Sequence, residues 1–160
     1  MKLLIILSLM TSSMIPVAQA SKDNYFNPNV SVCRDAFVNL MGESASNSKV
    51  NFKKMLDGVD SRGAVCTLQI SLYETSDSKK GLINIDGGLL DPYKHSMATE
   101  NSEPCDNNAQ EVEGFSFRQS SGWHSRFTSK LRISKIAESG KISVYMQEGG
   151  MYRTCTGELK

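Results

Sequence analysis

Acid–base chemistry in this chain can draw on only two histidines, His95 and His124. Imidazole is the side chain that titrates nearest neutral pH. If the fold placed both rings beside Lys or Arg, one could act as general base and the other as general acid on a phosphodiester. Nothing in their spacing requires this, because both fall in predicted surface loops. A small secreted hydrolase, acting in the manner of a ribonuclease, is therefore kept as the alternative function.

Two other kinds of chemistry find little support in the sequence. No G-x-S-x-G motif is present, so a serine nucleophile of that type is not indicated. Asn84, Asp86 and Asp91 place oxygen ligands near Gly88, in faint likeness to a calcium loop. The full calcium-loop pattern is missing, and Asp-Gly-Gly is ordinary turn chemistry, so a turn is the preferred interpretation. We expect neither a metal nor a cofactor.

The four cysteines predict two disulfides in an exported protein. They are Cys33, Cys66, Cys105 and Cys155. None forms a C-x-x-C pair, which argues against a zinc site or a thioredoxin-type redox site. Cys33 and Cys66 are both predicted to face the layer between helix and sheet. We therefore expect them to pair with each other, which leaves Cys105 for Cys155.

An exported destination is also predicted by the first 20 residues. Lys2 precedes an apolar run that begins at Leu3, and Ala18-Gln19-Ala20 is typical of a signal-peptide cleavage site. The apolar run is too short to span a bilayer. We expect residues 1–20 to be removed and residues 21–160 to form a single domain, located in the periplasm or outside the cell.

The charge balance excludes some classes of partner. The whole chain has 18 basic and 17 acidic residues, and loss of Lys2 with the leader makes the two numbers equal. A net charge of zero argues against nucleic acid as the partner and against a strongly basic membrane-surface protein. With 39% hydrophobic residues, the chain can still bury a substantial core.

Two N-terminal segments have apolar residues at helical spacing, which predicts two amphipathic helices. The first begins near Asn27 and stops at Gly42, with Cys33 on its buried stripe. The second covers 48–59. Its inward-facing residues are Phe52, Met55, Leu56 and Val59.

From Val65 onward the period of the pattern changes to two, which predicts strands. The first strand has Cys66, Leu68, Ile70 and Leu72 on its apolar face. Shorter strands are predicted around 82–86 and 112–118, and the stretch 86–111 between them is predicted to be a long loop. The predicted fold is therefore α+β, with two N-terminal helices packed on a mostly antiparallel sheet of five or six strands.

The last third of the chain predicts a three-stranded meander. Ser139-Gly140 and Gly149-Gly150 are each typical of a two-residue hairpin turn. With both turns in that form, Val144 lies opposite Cys155 and Ile133 lies opposite Met146. The apolar residues then share one face, which a slip of one residue would destroy. That face holds Leu131, Ile133, Ala137, Ile142, Val144, Met146 and Cys155.

The opposite side of this meander carries basic and aromatic side chains. We call them the meander face: Lys130, Arg132, Tyr145, Gln147 and Tyr152. In the predicted register Gln147 lies opposite Tyr152, and Arg132 lies opposite Gln147. Tyr and Arg are enriched at binding hot spots, although exposed strands also favour Tyr. The leading interpretation is a small, exported, non-enzymatic domain that binds a protein or an envelope component through the meander face or the 86–111 loop.

Overall fold

The computed structural model describes residues 32–45, 50–74, 80–89, 94–100, 105–119 and 128–160. The predicted leader lies outside this part of the chain. The described elements, in chain order, are β1 (Val32–Cys33), α1 (Arg34–Leu40), β2 (Phe52–Asp60), β3 (Val65–Glu74), β4 (Lys80–Asp86), β5 (Lys94–Glu100), β6 (Glu111–Gln119), β7 (Thr128–Lys135), β8 (Ile142–Glu148) and β9 (Met151–Leu159). The predicted α+β fold is wrong, because the described chain is nearly all β with one helix of 7 residues.

All nine strands belong to one sheet that nearly closes on itself. From β2 to β9 each strand pairs antiparallel with the next in the chain, and β9 also pairs with β2. The weakest junction is between β5 and β6, which share only the pairs from Lys94–Gln119 to Ser96–Phe117. At the other end of β5, the short strand β1 pairs in parallel with Thr99 and Glu100. The result is a barrel-like, up-and-down sheet.

The apolar core fills the inside of this sheet, because alternate residues of each strand point inward. Leu68, Ile70 and Leu72 of β3 are buried there, as the alternation predicts. Helix α1 adds Phe37, whose ring stacks on that of Phe52 with a centroid distance of 5.8 Å. Helix α1 therefore packs inside the end of the sheet at which β2 begins.

A buried ion pair holds α1 against β3. The guanidinium of Arg34 contacts the carboxylate of Glu74 at 2.5 Å, and both residues are buried. The second oxygen of Glu74 accepts a hydrogen bond from the Val50 N–H at 2.6 Å. A charge pair in such a place is tolerated when its hydrogen bonds are satisfied, and removal of one partner leaves the other costly to bury.

The first predicted helix is present only in part. Within the described residues it covers only Arg34–Leu40. Cys33 is its N-cap rather than part of its buried stripe, since the Cys33 Sγ accepts a hydrogen bond from the Ala36 N–H at 3.3 Å. Gly42 follows the C-cap at Met41 with a φ of 75°, as its predicted role requires. Residues 27–31 lie outside the described part.

The second predicted helix is wrong, because Phe52–Asp60 is strand β2. Its inward positions include Lys54 and Gly58. Because neither is a large apolar residue, the sequence of β2 does not show the alternation of apolar and polar residues that marks a strand. The ammonium of Lys54 donates a hydrogen bond to the Met41 carbonyl at 2.8 Å and pairs with Glu43 at 2.7 Å. Lys54 therefore occupies an inward position although it is charged, because its ammonium finds polar partners at the end of the sheet. The remaining apolar residues of β2 have a spacing that resembles that of a helix.

The predicted long loop 86–111 is also wrong, since it contains strand β5. The buried residues of β5 include His95, Ser96 and Thr99. Because polar residues occupy buried positions here, the sequence shows no alternation of apolar and polar types. Without that alternation the segment has no strand signal.

The meander is confirmed, with one change of register. Glu148 lies opposite Met151 and Val144 opposite Cys155, as the two-residue turn at Gly149-Gly150 predicts. In the first hairpin Ile133 lies opposite Val144 rather than Met146. The loop there is longer, because the Gly140 N–H bonds to the Ile136 carbonyl at 2.7 Å. A shift of two residues keeps every strand residue on its predicted face.

Among the predicted inward residues of the meander, Ala137 is the exception. It is exposed, because it lies in the turn between β7 and β8 rather than on a strand. The other members are buried in the core: Leu131, Ile133, Ile142, Val144, Met146 and Cys155.

Two disulfides are present, but the predicted pairing is wrong. Cys33 is bonded to Cys105 and Cys66 to Cys155, with Cα–Cα distances of 5.6 Å and 6.0 Å. Cys66 and Cys155 lie on the two strands that flank β2, and no local pattern in the sequence reveals that neighbourhood. The two disulfides are compatible with an exported protein. Within the described residues, no helix is long and apolar enough to cross a membrane.

Strands β2 and β9 approach each other closely where two glycines face each other. Gly58 lies opposite Gly157. A Cβ atom added to Gly58 would collide with the Thr156 carbonyl, and one added to Gly157 would collide with the Asp57 carbonyl. Both obstacles are backbone atoms, which cannot move aside as a flexible side chain can. Only glycine fits at these two positions.

We predict that Gly58→Ala destabilises the protein by about 3 kcal/mol, since the new methyl group meets backbone. Gly150→Ala is the matched control, because a Cβ atom there meets nothing within 4 Å. Its effect should stay within about 0.5 kcal/mol. Urea unfolding of the three proteins measures both values. Equal midpoints for Gly58→Ala and Gly150→Ala would contradict the close approach.

The disulfide pairing can be checked by tryptic mapping without reduction. Each cysteine falls in a different tryptic peptide, and these peptides are 23–34, 63–79, 95–118 and 154–160. We expect to find 23–34 linked to 95–118, and 63–79 linked to 154–160. Any link between 23–34 and 63–79 would show that the pairing described here is wrong.

Candidate functional site

The five residues of the meander face lie together on the outer side of β7, β8 and β9. Arg132 lies opposite Tyr145, Lys130 lies opposite Gln147, and Gln147 lies opposite Tyr152. The pairing of Gln147 with Tyr152 was predicted, and the predicted pairing of Arg132 with Gln147 is wrong by two residues. Leu131, Ile133 and Val144 alternate with Arg132 and Tyr145 and are buried, so these two side chains point outward. Tyr152 is exposed.

Three of these side chains form a stack. The rings of Tyr145 and Tyr152 lie 6.2 Å apart between centroids, with an interplanar angle of 25°. The Arg132 guanidinium carbon lies 5.5 Å from the centroid of the Tyr145 ring, within the range of a cation–π contact. The Tyr145 hydroxyl donates a hydrogen bond to Gln147 Oε1 at 2.9 Å. These contacts restrict the conformations of the three side chains and of Gln147.

Two carboxylates of the neighbouring strand β6 balance the charge of this face. Glu113 contacts Arg132 at 2.8 Å and Lys130 at 3.0 Å. Glu111 contacts Arg132 at 3.4 Å. The negative charges of two carboxylates therefore offset the positive charges of two basic side chains. The face is charge-balanced, whereas the sequence predicts a basic one.

The ion pairs shift the titration of their members. Hydrogen bonds from Lys130 and Arg132 lower the pKa of the Glu113 carboxyl below its ordinary value. The hydrogen bond to Glu113 raises the pKa of the Arg132 guanidinium. Because these groups lie at the surface, solvent and salt screen their interactions. The shifts therefore report on geometry more than on stability.

Strand β6 also supplies Phe115, which the sequence predicts only to lie on a short strand. Phe115 lies opposite Lys130 and is 52% exposed, close to the 56% of Tyr152. The period of two could have assigned it to this face, because Glu111 and Glu113 alternate with buried Val112. Its partner strand could not be identified from the sequence.

The two histidines do not form a described site. His95 is on β5, buried, and its Nδ1 lies 3.3 Å from the Ser116 Oγ. Ser116 in turn donates to the Ser129 carbonyl at 3.3 Å. The expectation that His95 lies in a surface loop is wrong. His124 lies outside the described residues, so the distance between the two rings stays untested.

The acidic turn considered for a cation has only one described carboxylate. Asp86 ends β4 and is exposed, whereas Asp91 lies outside the described residues. Across the described ranges, no three His, Cys, Asp or Glu side chains come together in a group that could hold a metal ion.

Comparison of the chain with protein-family models, with curated proteins and with solved structures gives no match.

The ion pairs of the meander face predict a specific response of Glu113 to pH. Because its pKa is lowered in the folded protein, the stabilisation from these contacts is present above the unfolded pKa. It is lost as the pH falls through the lower, folded pKa. In Arg132→Gln the titration midpoint of Glu113, followed by carboxyl NMR, should move upward toward the ordinary value of a glutamate. An unchanged midpoint would mean that Arg132 does not contact Glu113 in solution.

Proposed function

We propose that this chain is an exported, non-enzymatic binding domain and that the meander face recognises a protein or an envelope component. The observation that carries the proposal is the stack of Arg132, Tyr145 and Tyr152 on the outside of a paired sheet. Aromatic and arginine side chains provide most of the energy of binding interfaces. Side chains already fixed in place lose little conformational freedom when a ligand binds.

The rigidity of the supporting strands favours the same proposal. Strand β8 is paired on both sides, with β7 and with β9. The residues on the inner side of these strands include Leu131, Val144 and Met146, which are buried. A site on paired strands over a packed core keeps its geometry better than a site on a loop. The second surface predicted for binding, the 86–111 loop, has lost much of its support, because β5 occupies its centre.

The alternative, a phosphodiester hydrolase acting through His95 and His124, gains no support from the described residues. A general base must come within hydrogen-bond reach of its substrate. His95 is only 2% exposed and points into the sheet. Proton transfer from that position would need an opening in the core.

The double variant Tyr145→Ala/Tyr152→Ala tests the proposal. We expect its affinity for the partner to fall by about 2 kcal/mol, or roughly 30-fold in Kd. Its unfolding free energy should change by no more than about 1 kcal/mol, because the lost contacts lie at the surface. Partners are recovered on immobilised protein from an envelope extract, and affinities are then measured with the purified partner.

Tyr73→Ala is the matched control, because Tyr73 is an exposed tyrosine on β3, away from the meander. It should retain the partner with unchanged affinity. If the double variant and the wild-type protein bind the same partners equally well, the meander face is not the binding site. Nucleic-acid cleavage that disappears only in His95→Ala/His124→Ala would establish the hydrolase instead.

A further inference from the structure

We propose that the ligand of the meander face is an uncharged, extended carbohydrate chain that lies across strands β6 to β9. This inference rests on the binding role proposed above and names the chemistry of the partner. It is carried by the order of side chains across the four strands, by their charge balance and by the size of the surface.

A single row of side chains crosses the four strands with an aromatic ring at each end. Phe115 lies opposite Lys130, Lys130 opposite Gln147, and Gln147 opposite Tyr152. Phe115 and Tyr152 are both about half exposed, at 52% and 56%. Since neighbouring strands lie about 4.8 Å apart, the row is about 14 Å long. That length suits a short oligosaccharide lying across the strands.

The side chains of this row match the two surfaces of a sugar ring. A pyranose presents C–H groups on its faces, which pack on aromatic rings, and hydroxyl groups around its edge. Hydroxyl groups both donate and accept hydrogen bonds. Between the two aromatic residues, the ammonium of Lys130 donates and the amide of Gln147 does both. In the adjacent row Arg132 donates and Glu113 accepts, so the face offers both donors and acceptors to hydroxyl groups.

The charge balance favours an uncharged ligand over a charged one. Lys130 and Arg132 already have Glu113 as their partner, at 3.0 Å and 2.8 Å. An anionic ligand would have to compete with that carboxylate, and a cationic ligand would meet two basic side chains. A ligand without charge can use the same groups through hydrogen bonds and leave the ion pairs in place.

The size of the surface favours a slender ligand over a folded protein. Next to the two rows that contain the aromatic residues lies a row of short hydroxyl side chains, Ser134, Ser143 and Thr156. Three rows at about 7 Å spacing across four strands give roughly 200 Å², or about twice that with the side chains included. A stable protein interface needs about 800 Å² on each partner. A carbohydrate chain needs much less.

The test is an NMR titration of the isotope-labelled protein with uncharged tetramers of β-1,4-linked N-acetylglucosamine and of β-1,4-linked glucose. We expect saturable shift changes at Phe115, Tyr145 and Tyr152 with at least one tetramer, with a Kd below about 1 mM. Tyr152→Ala and Phe115→Ala should each raise that Kd about tenfold. Tyr73→Ala, the matched control, should leave it unchanged. A tetramer of galacturonic acid, which carries carboxylates, should bind about tenfold more weakly.

Two results would overturn the inference: no saturable shift with either uncharged tetramer, or a Kd that is unchanged in both Tyr152→Ala and Phe115→Ala. The proposed function is judged separately by the envelope-extract experiment. A protein partner that is lost in Tyr145→Ala/Tyr152→Ala, together with no response to the tetramers, would reject the carbohydrate and retain the binding face. Failure of both experiments would reject both. Equal affinity for the galacturonic acid tetramer would reject the preference for an uncharged ligand.

Discussion

The close approach of β2 and β9 at Gly58 and Gly157 is the constraint on which the rest of the structure depends. Strands separated by one other strand normally lie about 9.5 Å apart. The Cα atoms of Cys66 and Cys155, on the two strands that flank β2, are only 6.0 Å apart. The sheet must therefore bend sharply at β2, and the two glycines make room for that bend. Such curvature turns a long antiparallel sheet back on itself, creates an inside that can be filled with apolar side chains, and leaves an outside on which a binding face can stand.

Local patterns in the sequence predicted the elements that depend only on their own residues. The alternation in β3 and the turn at Gly149-Gly150 are of this kind, and both are confirmed. Strands β2 and β5 were missed because the core tolerates Lys54, Gly58 and His95 at inward positions. Lys54 is satisfied at the rim, Gly58 fits where nothing else does, and His95 has a hydroxyl beside it. The disulfide pairing depends on which strands become neighbours around the sheet, and no pattern within a single segment contains that information.

In the candidate site, too, the features set by a single strand were predicted and those set by strand neighbours were not. Its five residues share one side of the sheet, as the sequence predicts, because a register shift of two residues leaves each strand residue on the same face. The contacts between these residues were not predicted, since the shift places Tyr145 rather than Gln147 beside Arg132. The contribution of β6 was also missed. Glu111 and Glu113 look like part of a solvated acidic run, and only the pairing of β6 with β7 brings them to the basic side chains. The charge balance of the surface therefore depends on which strands pair in the fold, whereas its aromatic residues can be identified from the sequence alone.

The pairing of β2 with β9 has a consequence for biosynthesis. The two strands are the first and the last of the up-and-down series. Because a chain is synthesised from its N-terminus, β2 is complete long before β9 has been made. Until β9 arrives, one edge of β2 has no strand beside it, and an open strand edge is a template for pairing with other chains. Contacts between such distant segments also form slowly. A ribosome that stops before β9 would release a sheet that cannot close, with β2 and β8 both left as edges. Only a chain that includes β9 can therefore close the sheet between β2 and β9.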